Sequence, residues 1–154
     1  RWRIGARCMA TLAGHHRRVE TLAKLDGGLL ASGADDGVHV WNVATGECVK
    51  TLAGHQGSVT SLAQLDGGLL AAGSLDRAIY LWAVETWELV ATLEGHAGGV
   101  TSLAKLDRGL LASCSIDKCI KVWAVETGQC VATIDARREH VDCCSRAFCC
   151  FPQH

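Results

Sequence analysis

The sequence predicts an all-β protein in which four-stranded antiparallel sheets follow one another along the chain. Three tryptophans, Trp41, Trp82 and Trp123, lie at a constant spacing of 41 residues, and a Gly-His pair at 14–15, 54–55 and 95–96 precedes each of them. A period near forty with Gly-His early and Trp late is typical of the blades of a β-propeller. Closed propellers have four to eight blades, so three copies predict an incomplete arc of about three blades.

Each copy contains four short aliphatic or β-branched runs separated by turn residues, which predicts four strands. Asp-Gly or Asp-Arg-Gly follows the first run and predicts a hairpin, because glycine allows positive φ there. The first strands are predicted at 19–25, 59–65 and 100–106, the second at 29–34, 69–74 and 110–115, the third at 38–41, 79–82 and 120–123, and the fourth at 48–52, 89–93 and 130–134.

The repeats divide the chain into a partial blade at 1–13, three blades at about 14–53, 54–94 and 95–135, and a Cys-rich tail at 137–154. The partial blade is predicted because residues 7–12 align with residues 47–52, the fourth strand of the first full copy. The repeat pattern stops after Ile134, so we expect the tail to be irregular.

The tail raises the alternative of a zinc site, since thiolates and imidazoles are the usual zinc ligands. Its candidate ligands are His140, Cys143, Cys144, Cys149, Cys150 and His154. Adjacent cysteines do not have the two-residue separation of the ligand pairs in zinc modules, and S-acylation would use the same residues. We therefore predict no metal and no cofactor. Cys114 and Cys119 fall within predicted strands and are expected to be small buried hydrophobic residues.

These motifs resemble the WD-repeat β-propeller family over roughly residues 2–134. The three copies share the Gly-His step, the Asp-Gly or Arg-Gly turn, the Leu-Leu-Ala strand, the turn Asp and the strand-ending Trp. The residue after each Trp is Asn42, Ala83 or Ala124, so the Asp that gives the family its name is missing from every copy.

The resemblance implies a buried hydrogen-bond network in each blade, in which Trp, a hydroxyl, His and Asp are linked in that order. Indole only donates, carboxylate only accepts, and hydroxyl and imidazole do both, so such a chain can be satisfied throughout. The predicted members are His15, Ser32, Asp36 and Trp41; His55, Ser74, Asp76 and Trp82; and His96, Ser113, Asp117 and Trp123.

Ser, His and Asp are also the side chains of a hydrolytic triad, which is the catalytic alternative. An active site is normally built once from unlike positions, whereas these residues recur with the period of the fold. We therefore predict that the chain is not an enzyme and has no catalytic residues.

Residues near the Gly-His loops and the turn Asp differ between copies that are otherwise uniform, which favours partner-specific contacts, with neutral drift as the alternative. The predicted partner-binding residues are Arg17, Arg18, Asp35, Ser58, Leu75, Arg77, Ile116 and Lys118, together with Trp87 at a turn where the other copies have glycine. Apolar Leu75 and Ile116 favour a protein or peptide partner over a phosphate-bearing one.

Composition and charge exclude other classes of partner. The net charge of −1 argues neither for nucleic acid nor for an anionic membrane. Five arginines within residues 1–18 raise the alternative of an RNA or phospholipid contact, but we interpret them as a solvated edge and predict no nucleic-acid or membrane partner. The function that we expect is a non-catalytic scaffold for protein–protein interaction; the alternative is the substrate-recruiting or regulatory propeller of a longer enzyme. We expect self-association through open blade edges, and an intracellular location, in the cytoplasm or alternatively the nucleus.

Overall fold

The structure is a computed structural model that describes Gly5 and residues 7–137. This part of the chain contains twelve β-strands and no helix. The strands are β1 (Val19–Lys24), β2 (Leu29–Ala34), β3 (Gly37–Asn42), β4 (Cys48–Leu52), β5 (Val59–Leu65), β6 (Leu69–Ser74), β7 (Ile79–Ala83), β8 (Leu89–Leu93), β9 (Val100–Lys105), β10 (Leu110–Ser115), β11 (Cys119–Ala124) and β12 (Gln129–Asp135).

The strands form three antiparallel sheets of four, in which each strand pairs with its sequence neighbour. We call these sheets the first blade (β1–β4), the middle blade (β5–β8) and the third blade (β9–β12). The predicted fold class, an all-β arc of propeller blades, is confirmed. Residues 7–13 contain no strand within the described chain, because a fourth strand needs a third strand of its own blade to pair with.

The blades stack in sequence order, with the first strands β1, β5 and β9 next to one another. One apolar core, which includes Val38, Val40 and Leu62, lies between the first and middle blades, and a second, which includes Ile79, Leu81 and Trp123, lies between the middle and third. Glycine in the second strand allows this approach, since a Cβ on Gly33 would lie only 2.6 Å from Cγ1 of Val59.

Polar contacts between neighbouring first strands repeat from one junction to the next. The backbone N–H of Leu62 donates to Oγ1 of Thr21, 3.2 Å away, and that of Leu103 donates to Oγ of Ser61, 3.1 Å away. Blade-to-blade packing is therefore specified by polar positions as well as by the apolar cores.

The expectation that Cys114 and Cys119 are buried is wrong, because both side chains are only half-buried. The residues at the same positions of the middle blade, Gly73 and Ala78, are buried. The difference arises because the third blade has no described neighbour on its far face.

Candidate functional site

The first blade contains an unbroken hydrogen-bond chain that starts inside the sheet and ends at a loop. The indole Nε1 of Trp41 donates to Oγ of Ser32 at 2.8 Å, and the same Oγ lies 2.6 Å from Nε2 of His15. Nδ1 of His15 lies 2.6 Å from Oδ1 of Asp36. The backbone N–H of His16 donates to the other oxygen of Asp36 at 2.7 Å, so the network joins β2, β3 and two loops.

With a neutral imidazole, the chemistry of the end groups sets the direction of each hydrogen bond in this chain. Because the indole can only donate, the Ser32 hydroxyl accepts from Trp41 and donates its own hydrogen to Nε2 of His15. His15 then carries its proton on Nδ1 and donates it to Asp36. Partial burial tends to raise the pKa of Asp36, but hydrogen bonds from His16 and His15 hold that pKa below its ordinary value, so the carboxylate is ionised.

The third blade repeats the arrangement. Trp123 donates to Oγ of Ser113 at 2.8 Å, Nε2 of His96 lies 2.7 Å from that hydroxyl, and Nδ1 of His96 lies 2.8 Å from Asp117. Asp117 also accepts backbone N–H bonds from Ala97 and Cys119, which hold the loop and the turn together.

The middle blade has the same ring and carboxylate positions but lacks the hydroxyl between them, because Ala72 stands where the other blades have Ser32 and Ser113. Within the described chain, both ring nitrogens of His55 lack a hydrogen-bond partner, and so does the indole nitrogen of Trp82. Asp76 instead accepts a 2.7 Å bond from the hydroxyl of Tyr80. Burial, together with this bond, raises the pKa of Tyr80 to about 12.

Ser74, which we predicted as the hydroxyl of the middle network, lies elsewhere. It is two residues further along β6 than Ala72, a distance of roughly 7 Å along a strand. Its hydroxyl donates to the carbonyl oxygen of Gly57 at 3.1 Å and accepts the backbone N–H of Asp76 at 3.2 Å. Ser115 makes the same two bonds in the third blade, so this is a second, turn-stabilising position. The sequence analysis did not predict a role for Tyr80, because the residues at the same position of the other blades, His39 and Lys121, have no hydroxyl.

The Ser-His-Asp order in two blades has the distances of a hydrolytic triad, but its surroundings differ from an active site. Ser32 and Ser113 are buried, and each hydroxyl already accepts a hydrogen bond from an indole. A nucleophile must reach a substrate carbonyl, and these oxygens face the interior. The arrangement favours a structural role.

A cluster of metal-ligating types, His15, Asp36 and His39, also lies in the first blade, with its ligand atoms within 4.8 Å of one another. The two imidazole rings are stacked, with centroids 3.8 Å apart and planes 14° apart. A ring nitrogen binds a metal in the plane of its ring, so two nearly parallel rings cannot direct both lone pairs at one ion. His15 also uses both nitrogens within the network.

The loops that carry the network residues form one surface, which we call the loop face. It consists of residues 15–18, 55–58 and 96–99 before the first strands, and the turns 35–36, 75–78 and 116–118 between the second and third strands. Hydrogen bonds tie each loop to its turn, as from Leu75 N to Ser58 O at 2.9 Å and from Ile116 N to Gly99 O at 3.0 Å. The predicted partner-binding residues lie here, with the exception of Trp87.

A depression of about 550 Å³ lies on the loop face where the first and middle blades meet. It is lined by five of the predicted residues together with Glu20 and Thr60, which the sequence did not single out; the five are Arg17, Arg18, Asp35, Ser58 and Leu75. Glu20 accepts a 2.6 Å hydrogen bond from Nε of Arg18, which aligns that cation along the rim. The sequence could not predict this depression, because the depression forms only where two blades come into contact.

The remaining loop-face residues lie outside that depression. Leu75 and Ile116 are exposed apolar side chains in the turns of adjacent blades. Arg77 and Lys118, two residues further on, have φ of 79° and 68°. Non-glycine residues seldom adopt this left-handed conformation, and such residues cluster at sites of contact or strain.

Trp87 lies away from the loop face, in the turn between β7 and β8. Its φ is 59°, while Gly46 and Gly128 at the same position have 76° and 72°. The ring is half-buried and packs against the core between the first and middle blades. This contact favours the packing alternative for Trp87 over a binding role.

Comparison with known proteins agrees with this geometry. The family model described as "WD domain, G-beta repeat" matches residues 6–42, 46–83 and 87–124, which together exceed half of the chain. The chain belongs to the WD-repeat family. The second and third matched repeats begin two residues before a fourth strand, and all three end one residue after a third-strand Trp, so their frame differs from that of the structural blade. Proteins of this family are generally non-catalytic and mediate protein–protein interaction.

Solved WD-repeat structures resemble the chain closely. The RRP9 WD40 repeats and U3-55K each have 28% sequence identity and a TM-score of 0.74 over 80% of this chain, which corresponds to 40% and 41% of those chains. The computationally designed Ika8 protein has 33% identity and a TM-score of 0.72, over 81% of this chain and 39% of its own. The chain thus spans about two fifths of the length of these proteins. None of the curated proteins compared with it matches.

Residues 5 and 7–137 include no helix long and apolar enough to cross a membrane.

Proposed function

We propose that the chain is a non-catalytic WD-repeat scaffold that binds a protein or peptide partner on its loop face. The observation that carries this proposal is the depression between the first and middle blades, which brings cationic, anionic and apolar side chains of two repeats together. Rigid scaffolds with variable loops are where binding residues collect. The buried networks of the first and third blades supply rigidity, and in the middle blade the hydrogen bonds of Asp76 and Ser74 hold the loop and the turn together.

The chemistry of the loop face favours a peptide with an apolar side chain and acidic neighbours. Leu75 and Ile116 are apolar and exposed, and Arg17, Arg77 and Lys118 place cations around them. Exposed apolar side chains with charged surroundings are typical of protein-interaction sites. The exposed side chains on the outer strand β8, Leu89 and Val90, have no comparable set of cations beside them in the sequence.

A displayed library of random peptides tests this proposal without knowledge of the natural partner. Peptides selected on the wild-type chain are expected to lose at least about tenfold in affinity, measured by calorimetry, when Leu75→Asp or Arg17→Glu is introduced. Val90→Asp is the matched control, since it places the same charge on an exposed residue of the same blade, and we expect it to leave affinity unchanged.

The proposal fails if the selected peptides bind the Leu75→Asp and Arg17→Glu variants as tightly as the wild type. It also fails if Val90→Asp reduces affinity as much as the loop-face variants do, because the peptides would then recognise an outer strand.

A further inference from the structure

The two outer blades each have one apolar face that packs against no other blade among the described residues. On the first blade, Leu12 and Gly14 cover the part of this face near Gly46 and Trp41, and the first strand is left open. We call the face of the first blade that points away from the middle blade the leading face, and the far face of the third blade the trailing face. On the leading face Leu22 is 62% exposed, whereas its equivalent Leu62 is 7% exposed. On the trailing face Ile120 is 38% exposed, whereas its equivalent Ile79 is fully buried.

These two faces carry the two halves of one interface that already occurs twice within the chain. At each internal junction, the later blade contributes the residues equivalent to the leading face. The earlier blade contributes the residues equivalent to the trailing face, and the two sets pack together. Val19 on the leading face corresponds to Val59 and Val100, and Leu106 on the trailing face corresponds to Leu25 and Leu65.

Charged groups at the two ends are complementary as well. Nε2 of Gln64 donates to Asp26 at 2.7 Å across the first junction, and Nζ of Lys105 donates to Asp66 at 2.7 Å across the second. The residues at these positions on the open ends are Lys24 on the leading side and Asp107 on the trailing side. Both are exposed, and neither has a hydrogen-bond or ion-pair partner within residues 7–137.

We propose that a second copy of this chain docks head-to-tail, with its leading face on the trailing face of the first copy. β12 of the first copy would then take the position that Leu12 of the second copy holds beside Gly46, so the largely exposed segment 7–12, which forms no strand, must move aside. The interface would pair Lys24 of one copy with Asp107 of the other, and the Ser102 hydroxyl would accept the Leu22 N–H as Ser61 accepts that of Leu103. A contact of this heterologous type closes into a ring when the rotation allows it. Two copies supply six blades, within the range of closed propellers.

One residue weakens this contact relative to the internal junctions. Cys114 occupies the position of Gly33 and Gly73, where a Cβ would lie 2.6 and 2.8 Å from Cγ1 of the valine on the next blade. The Cys114 side chain therefore occupies space that Val19 of the second copy needs. The junction between copies must open slightly, so its affinity falls below that of a junction with glycine.

Charge reversal tests the proposed contact directly. Sedimentation equilibrium of the 154-residue chain is expected to show a species of twice the 16.4 kDa monomer mass. Lys24→Asp and Asp107→Lys, singly, should weaken this association by about tenfold or more, because each places like charges opposite one another. The double variant restores an opposite-charge pair and should dimerise as the wild type does.

Two substitutions serve as matched controls for charge. Lys50→Asp on β4 and Glu85→Lys in the turn between β7 and β8 change charge equally at exposed residues away from both faces, and should leave the association unchanged. Cys114→Gly should tighten it by about tenfold, since it removes the overpacked atoms. Cys119→Ala removes another half-buried thiol of the same blade without this effect.

The proposal is overturned if the chain stays monomeric at high concentration. It is equally overturned if the chain associates but the single charge variants associate as strongly as the wild type, because the contact then lies elsewhere. Binding of library peptides by the monomer is a separate measurement, so failure here leaves the loop-face proposal standing.

Discussion

At the scale of single residues, the middle blade differs from its neighbours by one missing hydroxyl. Ala72 replaces the serine that joins indole to imidazole in the other two blades, and His55 and Trp82 are left without partners among the described residues. A buried polar group that lacks a hydrogen bond costs about 1–3 kcal/mol. Asp76 still accepts backbone hydrogen bonds from Gln56 and Ala78, and it also accepts one from the Tyr80 hydroxyl.

Ala72→Ser should therefore stabilise the chain. The new hydroxyl is expected to accept from Trp82 and donate to His55, which raises the free energy of unfolding by about 1–2 kcal/mol. Urea denaturation monitored by circular dichroism measures the change. Ala71→Ser is the matched control, because Ala71 is as deeply buried but faces the core between the middle and third blades. We expect it to destabilise, and equal losses from both substitutions would contradict the prediction.

The pH dependence of stability follows from His55. Burial lowers the pKa of His55 below its ordinary value of 6.5, although Asp76 opposes this shift. The folded chain therefore binds fewer protons than the unfolded one, so this contribution to stability is present above about pH 6.5 and is lost as the pH falls through the lower folded pKa. The lowered pKa values of Asp36, Asp76 and Asp117 act with the same sign below their ordinary 3.8.

We expect the urea midpoint to fall between pH 7.5 and pH 5, and His55→Leu to make that fall smaller. His39, whose pKa is also lowered by burial, would account for a remaining part of the fall. A wild-type midpoint that is the same at both pH values would refute this assignment.

At the scale of elements, the junction between blades depends on glycine in the second strand of each pair. A Cβ on Gly33 would approach Val59 Cγ1 to 2.6 Å and Thr21 Cγ2 to 2.7 Å. Gly33→Ala should thus cost about 1–3 kcal/mol of stability through overpacking. Val59→Ala removes the opposing atoms, so the double variant should lose less than the two single losses combined. Denaturant unfolding of all four chains completes the cycle, and simple additivity would show that the two positions do not touch.

The elements were largely predictable from the sequence, because period and turn residues define them locally. All three second strands have the predicted bounds, as do β4, β5 and β8. The other strands differ by one residue at one or both ends, for example Gly37–Asn42 against the predicted 38–41. The networks were predictable where the sequence has a serine at position 32 or 113. In the middle blade we predicted Ser74 because it is close to position 72 in the sequence. The sequence alone does not show that its hydroxyl lies too far from His55 and Trp82 to join them. The rewired Tyr80 contact depends on side-chain direction, which the repeat pattern does not contain.

At the scale of the whole molecule, three similar blades have unequal surroundings. Among the described residues, the middle blade packs against another blade on both faces, whereas the first and third blades each do so on one. In stacked repeats, stability is approximately the sum of intrinsic repeat terms and nearest-neighbour interface terms. An outer sheet can fray by losing one interface, but the middle sheet opens only when both are lost. The backbone amides of β5–β7 are therefore placed to exchange with solvent most slowly, even though their own blade carries the least complete internal network.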